Sequence, residues 1–454
     1  MVSYSQKLIG DFCREGIVEL QTGPFGSQLH SYDYVEDGVP VIPTEAIKER
    51  RIVLDGLPRV ARETADRLSK HQLLLDDILF ARRGAQATGQ TAIVRDQDVG
   101  AICGTGAIRL RVRRKQSSLL PAFLSHFLSS PEAVAWIRAQ AIGATMPNLN
   151  EGIIKRIAVP VPPFDLQTRM ATTLNDLDDK IELNRRTNET LEAVAQAIFR
   201  DWFIDFGPTR RKIEGATNPL EIMGGLVIDP ERVRQLADLF PATLGDDGLP
   251  DGFDEFQLED IASQHTSTLT PLAFSHETFA HHSLPAFDKD RNPIIETGAA
   301  ILSNKTIVPP SSVLLSKLNP EISRVWLPAD HADHRAVCST EFLAFTAKKG
   351  FGRALVYSLF SSTPFRSLLT GMVTGTSKSH QRISPKALVS QVVLATSMGV
   401  GDAFEALVAP FLQRIQHNRA ENRTLAGTRD LLLPKLMSGE IRLSEAEQLA
   451  GAAA

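Results

Sequence analysis

The chain has 454 residues, 43% of them hydrophobic and 22% charged, with a formal net charge of -4 and a mean hydropathy of -0.08. These values exclude a disordered chain, and no stretch approaches the roughly 18 apolar residues a membrane-spanning helix needs. With 49 Lys plus Arg against 53 Asp plus Glu there is no global basic field, so a nucleic-acid role has to rest on local patches. Three cysteines, Cys13, Cys103 and Cys338, are too few for a disulfide framework, and the first residues do not read as an export signal. Reduced thiols and a cytoplasmic location are expected.

Residues 1–163 read as a mixed α/β domain. Short apolar runs ("GVPVIP", "DILFARRG", "QTAIV", "AIRLRVR") alternate with Gly, Pro and Asp turn signals and give way to the helix-like "PAFLSHFLSSPEAVAWIRAQA". The loop "TGPFGSQL" (22–29) offers backbone amides and the short polar Ser27 and Gln28 for phosphate or base-edge contact, although an ordinary turn explains the same residues. Arg82, Arg83, Arg95, Arg109, Arg111, Arg113, Arg114 and Lys115 crowd residues 82–115 against only Asp96 and Asp98. Such a patch can neutralise phosphates, or be a solvated strand edge.

Residues 164–206 carry a heptad seam. Alternate steps of three and four select Leu174, Leu177, Ile181, Asn184, Asn188, Leu191, Ala195, Ile198 and Trp202. Asp165 is expected to cap a helix beginning near Leu166 and ending around Phe206, roughly 57 Å long at ~1.5 Å per residue. Residues 207–250, with "GDDGLPDG", read as a partly irregular connector, and 251–400 as a second globular domain.

Residues 401–443 repeat the seam 234 residues on, as Val408, Phe411, Ile415, Asn418, Asn422, Leu425, Arg429, Leu432 and Leu436, followed by a tail at 444–454. Pro410 is expected to kink the start of this helix, with Pro434 near its end and Gly439 as C-cap. The duplication extends beyond the helices: "AICGTGAIRL" (101–110) resembles "AVCSTEFLAF" (336–345), and "DILFARRG" (77–84) resembles "SVLLSKLN" (312–319). A buried Asn in a coiled coil lowers stability but fixes register, because its amide is satisfied only by a polar group across the seam. Paired asparagines at the same depth in both copies therefore point to two long helices packed on each other, antiparallel if both pairs are to meet near the middle. The expected fold class is α+β, with two α/β domains, a two-helix coiled coil and a pseudo-twofold internal repeat. Stripes facing the core of a single bundle are the plainer alternative.

Catalytic signatures are sparse. The sequence of an amino-methyltransferase would show Asn, Asp or Ser before Pro-Pro-aromatic, but "VPPF" (161–164) has Val there. There is no P-loop or HExxH, "GTGAIR" lacks the third glycine of a dinucleotide loop, and Asp178, Asp179 and Lys180 fall in a helix rather than on nuclease strands. His331, His334 and Cys338 suggest zinc, but a fourth ligand is missing, and a buried strand position shared with Cys103 explains the thiol better.

At "GPFGSQL", "GATMPNLNEGIIKRIAVPVPPFDLQ", "NRRTNETL" and "DFGPTRRK" the sequence resembles the specificity subunit of Type I restriction-modification systems, over nearly the whole chain. The resemblance implies a non-catalytic chain with two target recognition domains, each reading half of a split sequence in double-stranded DNA, and antiparallel helices that set the gap. It also implies two modification (methyltransferase) subunits docked on those helices, and restriction (motor and nuclease) subunits. The assembled complex would be an adenine-specific DNA methyltransferase and ATP-dependent endonuclease. Its S-adenosylmethionine, ATP and Mg would be used by the partners, and no cofactor would be bound by this chain. By residue type and loop context the expected DNA contacts are Ser27, Gln28, Arg82, Arg83, Gln86 and Gln90 in the first domain, and Lys305, Lys317, Asn319, Lys378, His380 and Gln381 in the second. The second copy departs from the family pattern. "GTSKSHQRISPKALVSQVVLATSMGVGDAFEAL" replaces the proline-rich strand end and Gln, leaving the entry of its helix open. A fused, self-sufficient DNA modification enzyme and a protein-binding repeat scaffold are the alternatives.

Overall fold

The computed structural model describes every residue except 1–3, 49, 55, 85–86, 114–117, 144–146, 226–228, 331–332, 374–380, 397–398, 439 and 454. The chain divides into two compact units, residues 1–181 with 423–454, and residues 182–422. Each unit therefore combines a globular part with a stretch of both long helices.

In the first unit, strands β1 (Val18–Thr22), β2 (Ile78–Ala81), β3 (Thr91–Ile93) and β4 (Ala107–Val112) form a sheet in the order β1-β4-β2-β3. Successive side chains of a strand face opposite ways. Ile78 and Phe80 accordingly join Phe123, Leu124 and Ile137 in one core, and Leu79 and Ala81 join Ile42 and Cys103 in another. Burial on both faces explains why "ILFA" reads as an unbroken apolar run. A second sheet places Val39–Ile42 between Ile102–Cys103, to which it is parallel, and Arg59–Val60.

The second unit repeats this plan. Strands β5 (Ala262–His265), β6 (Val313–Ser316), β7 (Val325–Trp326) and β8 (Phe342–Ala347) take the order β5-β8-β6-β7. Val313 and Leu315 face one core, and Leu314 faces another with Trp326 and Cys338. Cys103 and Cys338 sit at matching places, each on a strand with a parallel partner, and burial pushes both thiols up to about 12. His331 lies outside the described residues, among which no cluster of three or more metal-binding side chains occurs.

The first long helix is Phe164–Phe199, continued by a wider turn over Arg200–Ile204 in which the Asp205 N–H donates to the Arg200 carbonyl, 2.8 Å. Asp165 lies within the first turn rather than capping it. Near that start the buried Gln167 accepts the Leu120 N–H, 2.9 Å, and donates to the Ser118 and Pro162 carbonyls. The second long helix, Val400–Ser438, stays helical through Pro410 and Pro434. Proline at 410 deprives the Ala406 carbonyl of its usual donor, and Arg232 Nη2 donates to that oxygen instead, 3.2 Å. The entry left open by the sequence is at Val400. Glu405 here takes the part of Gln167, accepting the Ala354 N–H at 2.8 Å.

The connector is helical in part, and its other described residues are irregular. Helices Gly207–Ile213, Pro219–Ile222 and Pro230–Leu239 form, and Ile222, Val233, Leu236 and Phe240 enter the core of the second unit. In the C-terminal tail, helix Leu443–Ala453 buries Leu443, Ala446 and Ala450 in the first unit.

Most of the seam is buried. Leu174, Leu177, Ile181, Leu425, Leu432 and Leu436 belong to the core of the first unit, and Ala195, Ile198, Trp202, Val408 and Ile415 to that of the second. Leu191 and Phe411 are half-buried against the latter, where Leu412 fills the deep position instead of Phe411. Within the second unit Asn184 Nδ2 donates to Asn422 Oδ1, 3.0 Å, and to Glu421 Oε2, 2.6 Å, while Asn418 Nδ2 donates to Asn188 Oδ1, 2.8 Å. The partner numbers fall as the first helix advances, so the helices run antiparallel here and each amide meets the repeat's other amide. Replacing the fully buried Asn418 by leucine strands the Asn188 carbonyl, and is expected to destabilise the second unit by about 1–3 kcal/mol in denaturant unfolding. An unchanged midpoint would remove the amides from the account of register.

Candidate nucleic-acid interface

In the first unit the pairings Thr22 with Ile108 and Ala81 with Ala107 bring the ends of β1 and β2 and the start of β4 to one end of the sheet. Loops 23–29 and 82–90 both leave from there. Gly23 donates its N–H to the Ala107 carbonyl, 3.0 Å, and a Cβ on it would sit 1.9 Å from the Gly104 carbonyl oxygen, so only glycine fits. Ser27 and Gln28 are exposed on this loop, and Gln28 Oε1 accepts the Phe25 N–H, 3.2 Å. Arg82 is half-buried, its Nε donating to Asn148 Oδ1, 3.0 Å, and the Leu149 carbonyl, 3.1 Å. Burial and the charge of Arg83 lower its pKa, so an anion beside the pair would relieve repulsion. Arg83 itself is exposed, with no ion-pair partner among the described residues. Gln90 is half-buried and pairs with Ala81 through its backbone, and Gln86 lies outside the described residues.

The second unit builds the same junction. The Leu149 N–H donates to the Arg82 carbonyl, 2.9 Å, and the Ile383 N–H to the Lys317 carbonyl, 3.1 Å. Arg83 bridges Asn148, and Leu318 bridges Arg382. Lys317 thus stands where Arg82 does. Asn319, in the left-handed region at φ 49, stands where Gly84 does at φ 107, and its N–H donates to the Gln381 carbonyl, 2.8 Å. Lys317, Asn319 and Gln381 are therefore brought together. Lys305 is not with them: it belongs to the second sheet, is 7% exposed, and turns its Nζ onto Ser303 Oγ, 2.6 Å. Burial lowers its pKa, so Lys305 is a buried structural amine rather than a surface contact. Lys378 and His380 lie outside the described residues.

The crowded arginines are mostly spent internally. Arg109, 2% exposed, donates to Glu19 at 2.9 Å, Arg111 makes two bonds of 2.7 Å to Asp77, Arg113 reaches Glu19 at 3.1 Å and Arg95 reaches Asp179 at 3.3 Å. Ile108 and Leu110 of β4 face the core, so the two arginines alternating with them share a face with acids from β1 and the start of β2. Arg114 and Lys115 lie outside the described residues. Sequence reasoning missed Asn148, Glu151 and Arg382. Glu151 Oε1 accepts from Thr22 Oγ1, 3.2 Å, tying "PNLNEG" to the end of β1 where loop 23–29 begins, and Arg382 pairs with Glu341 at 3.0 Å.

Residues 12–193 match the family described as Type I restriction modification DNA specificity domain, which takes in loops 23–29 and 82–90 and most of the first seam. The Type I restriction enzyme HindI specificity subunit of Haemophilus influenzae is 24% identical over 371 residues, covering 71% of this chain and 78% of that protein. The MjaIX specificity subunit of Methanocaldococcus jannaschii is 22% identical over 342 residues, covering 73% and 71%. Among solved structures, the S subunit of a Type-I restriction-modification system from M. genitalium shares the fold, with a TM-score of 0.54 at 14% identity and 96% of each chain covered. No helix among the described residues is long and apolar enough to cross a membrane. Residues 12–193 thus belong to the Type I restriction modification DNA specificity domain family, and the chain is similar over more than two thirds of its length to specificity subunits of Type I restriction-modification systems.

Proposed function

We propose that this chain is the non-catalytic subunit that gives a Type I restriction-modification complex its DNA sequence. On this reading residues 1–163 and 251–400 are target recognition domains, each taking one half of a split site in double-stranded DNA, and the long helices set the gap. Two modification subunits dock on the helices and restriction subunits complete the nuclease. S-adenosylmethionine, ATP and Mg belong to those partners, in an adenine-specific methyltransferase and ATP-dependent endonuclease of the cytoplasm.

The observation that carries the reading is the junction built twice, with Arg82 and Arg83 in one unit and Lys317 in the other at the same end of equivalent sheets. Cations at loop ends position a domain on phosphates, and polar loop side chains beside them meet base edges. A fused modification enzyme is not favoured, because relatives matched over more than two thirds of this chain are themselves specificity subunits.

Charge reversal tests it. Arg83→Glu or Lys317→Glu is expected to weaken DNA binding by the assembled complex about tenfold and to reduce its salt dependence by about one phosphate contact, without changing the preferred sequence. Unchanged retention on DNA by both variants would favour a scaffold that binds only protein.

A further inference from the structure

Each unit holds an arginine on left-handed backbone whose side chain reaches an acid of the first long helix. In the first unit it is Arg50, φ 66, in the turn between Ile47–Lys48 and Arg51–Ile52. Its backbone is tied to β3, its N–H donating to the Thr91 carbonyl, 3.0 Å, and its carbonyl accepting the Ile93 N–H, 3.2 Å. Arg50 Nε donates to Asp178 Oδ2, 2.7 Å, and Nη1 to Ser125 Oγ, 3.0 Å, while Arg429 Nη1 of the second helix donates to Asp178 Oδ1, 2.6 Å. In the second unit it is Arg291, φ 55, at the end of helix Leu284–Asp290. Its Nη1 donates to Glu192 Oε1, 2.9 Å, the same oxygen that accepts from Arg419 Nη2 at 2.6 Å.

Glycine or asparagine would adopt these backbone angles at lower cost. The backbone thus gives no reason for arginine at either place, and the reach of the side chain does. Duplication gives no reason either, because the residues 234 positions after Asp178 and Glu192 are Leu412 and Ala426. Both acids lie on the first helix and both second arginines on the second, so each unit arrived at the same clamp with its own residues. A planar guanidinium held by directed bonds resists rotation of a domain about a helix, which non-directional apolar packing does not.

We propose that Arg50 and Arg291 are positioning residues that fix the angle of each recognition domain on its own stretch of the helix pair, and so set how strictly the complex measures the gap between half-sites. This rests on the proposed function above. The test uses Arg291→Met, at the more exposed clamp, and the neutral triple Arg50→Met, Asp178→Leu, Arg429→Leu, which leaves no buried charge unpaired. Each is assembled with its modification subunits and titrated against duplexes with the native gap, a gap one base pair longer or shorter, and one half-site scrambled. Preference for the native gap is expected to fall about fivefold while the penalty for scrambling a half-site stays at the wild-type value. Arg291→Lys, which keeps the charge but not the planar geometry, should restore part of the gap preference. Full gap preference in both folded variants, with folding checked by circular dichroism, would overturn the proposal. A wild-type complex that binds one half-site as tightly as the pair would instead overturn the two-part reading itself, and this proposal with it.

Discussion

Asp178→Ala is expected to destabilise the first unit by about 3–5 kcal/mol, because it leaves the buried Arg50 without a carboxylate and takes from the half-buried Arg429 one of its two. Asp178 is 6% exposed, Arg50 is 4% exposed, and Arg429 also bonds the carboxylate. Burial alone would push the Asp178 carboxyl up, but Arg50, His126 and Arg429 together hold it well below the usual carboxylate range. The stability it contributes is present above the unfolded value near 4 and is lost as pH falls below that. His126, buried beside Arg50, titrates first. Burial and then Arg50 lower its pKa from 6.5 to about 3, so the unfolded chain takes up the proton first and stability drains away as pH falls from 6.5 toward 3. Denaturant titrations at pH 7 and pH 4 should differ by on the order of 3 kcal/mol, and His126→Asn should remove most of that difference. A wild-type protein equally stable at both pH values would show that this cluster is wetter than its geometry implies.

Inserting seven residues into each long helix, after Ile181 and after Asn422, should lengthen the gap between half-sites while leaving the bases of each half unchanged. The insertion preserves the heptad phase and adds about 10 Å of helix. DNA rises about 3.4 Å per base pair and turns once in about 10, so the expected increase is one to three base pairs. Mapping methylated adenines with the variant complex would show it. An unaltered gap would mean that the helices do not act as the ruler.

The seam, the asparagine pairs and the duplication were legible because they are periodic along the chain and each is set by local spacing. The amide pairs Asn184 with Asn422 and Asn188 with Asn418 were fixed by one requirement, that a buried amide must find another. What could not be read depends on partners remote in sequence. The basic patch dissolves because Glu19 arrives from another strand and Asp77 from the turn before β2, while Lys305 is buried with its amine bonded back onto Ser303. Asp178 was placed correctly in a helix, but the reason for it is Arg50, in a hairpin 128 residues earlier. Leu443, Ala446 and Ala450 are spaced for a helix face, a signal too short to read in the sequence alone. In loops 23–29 and 82–90 the sequence did not show which side chains are held by the fold, since Arg82 is spoken for by Asn148 and Leu149.

On the proposed function one chain carries two readers. Footprinting of the complex assembled with its modification subunits tests this most directly. Two protected half-sites on one face of the duplex, about one helical turn or roughly 34 Å apart, are the expected result. Protection of a single unbroken site would contradict it.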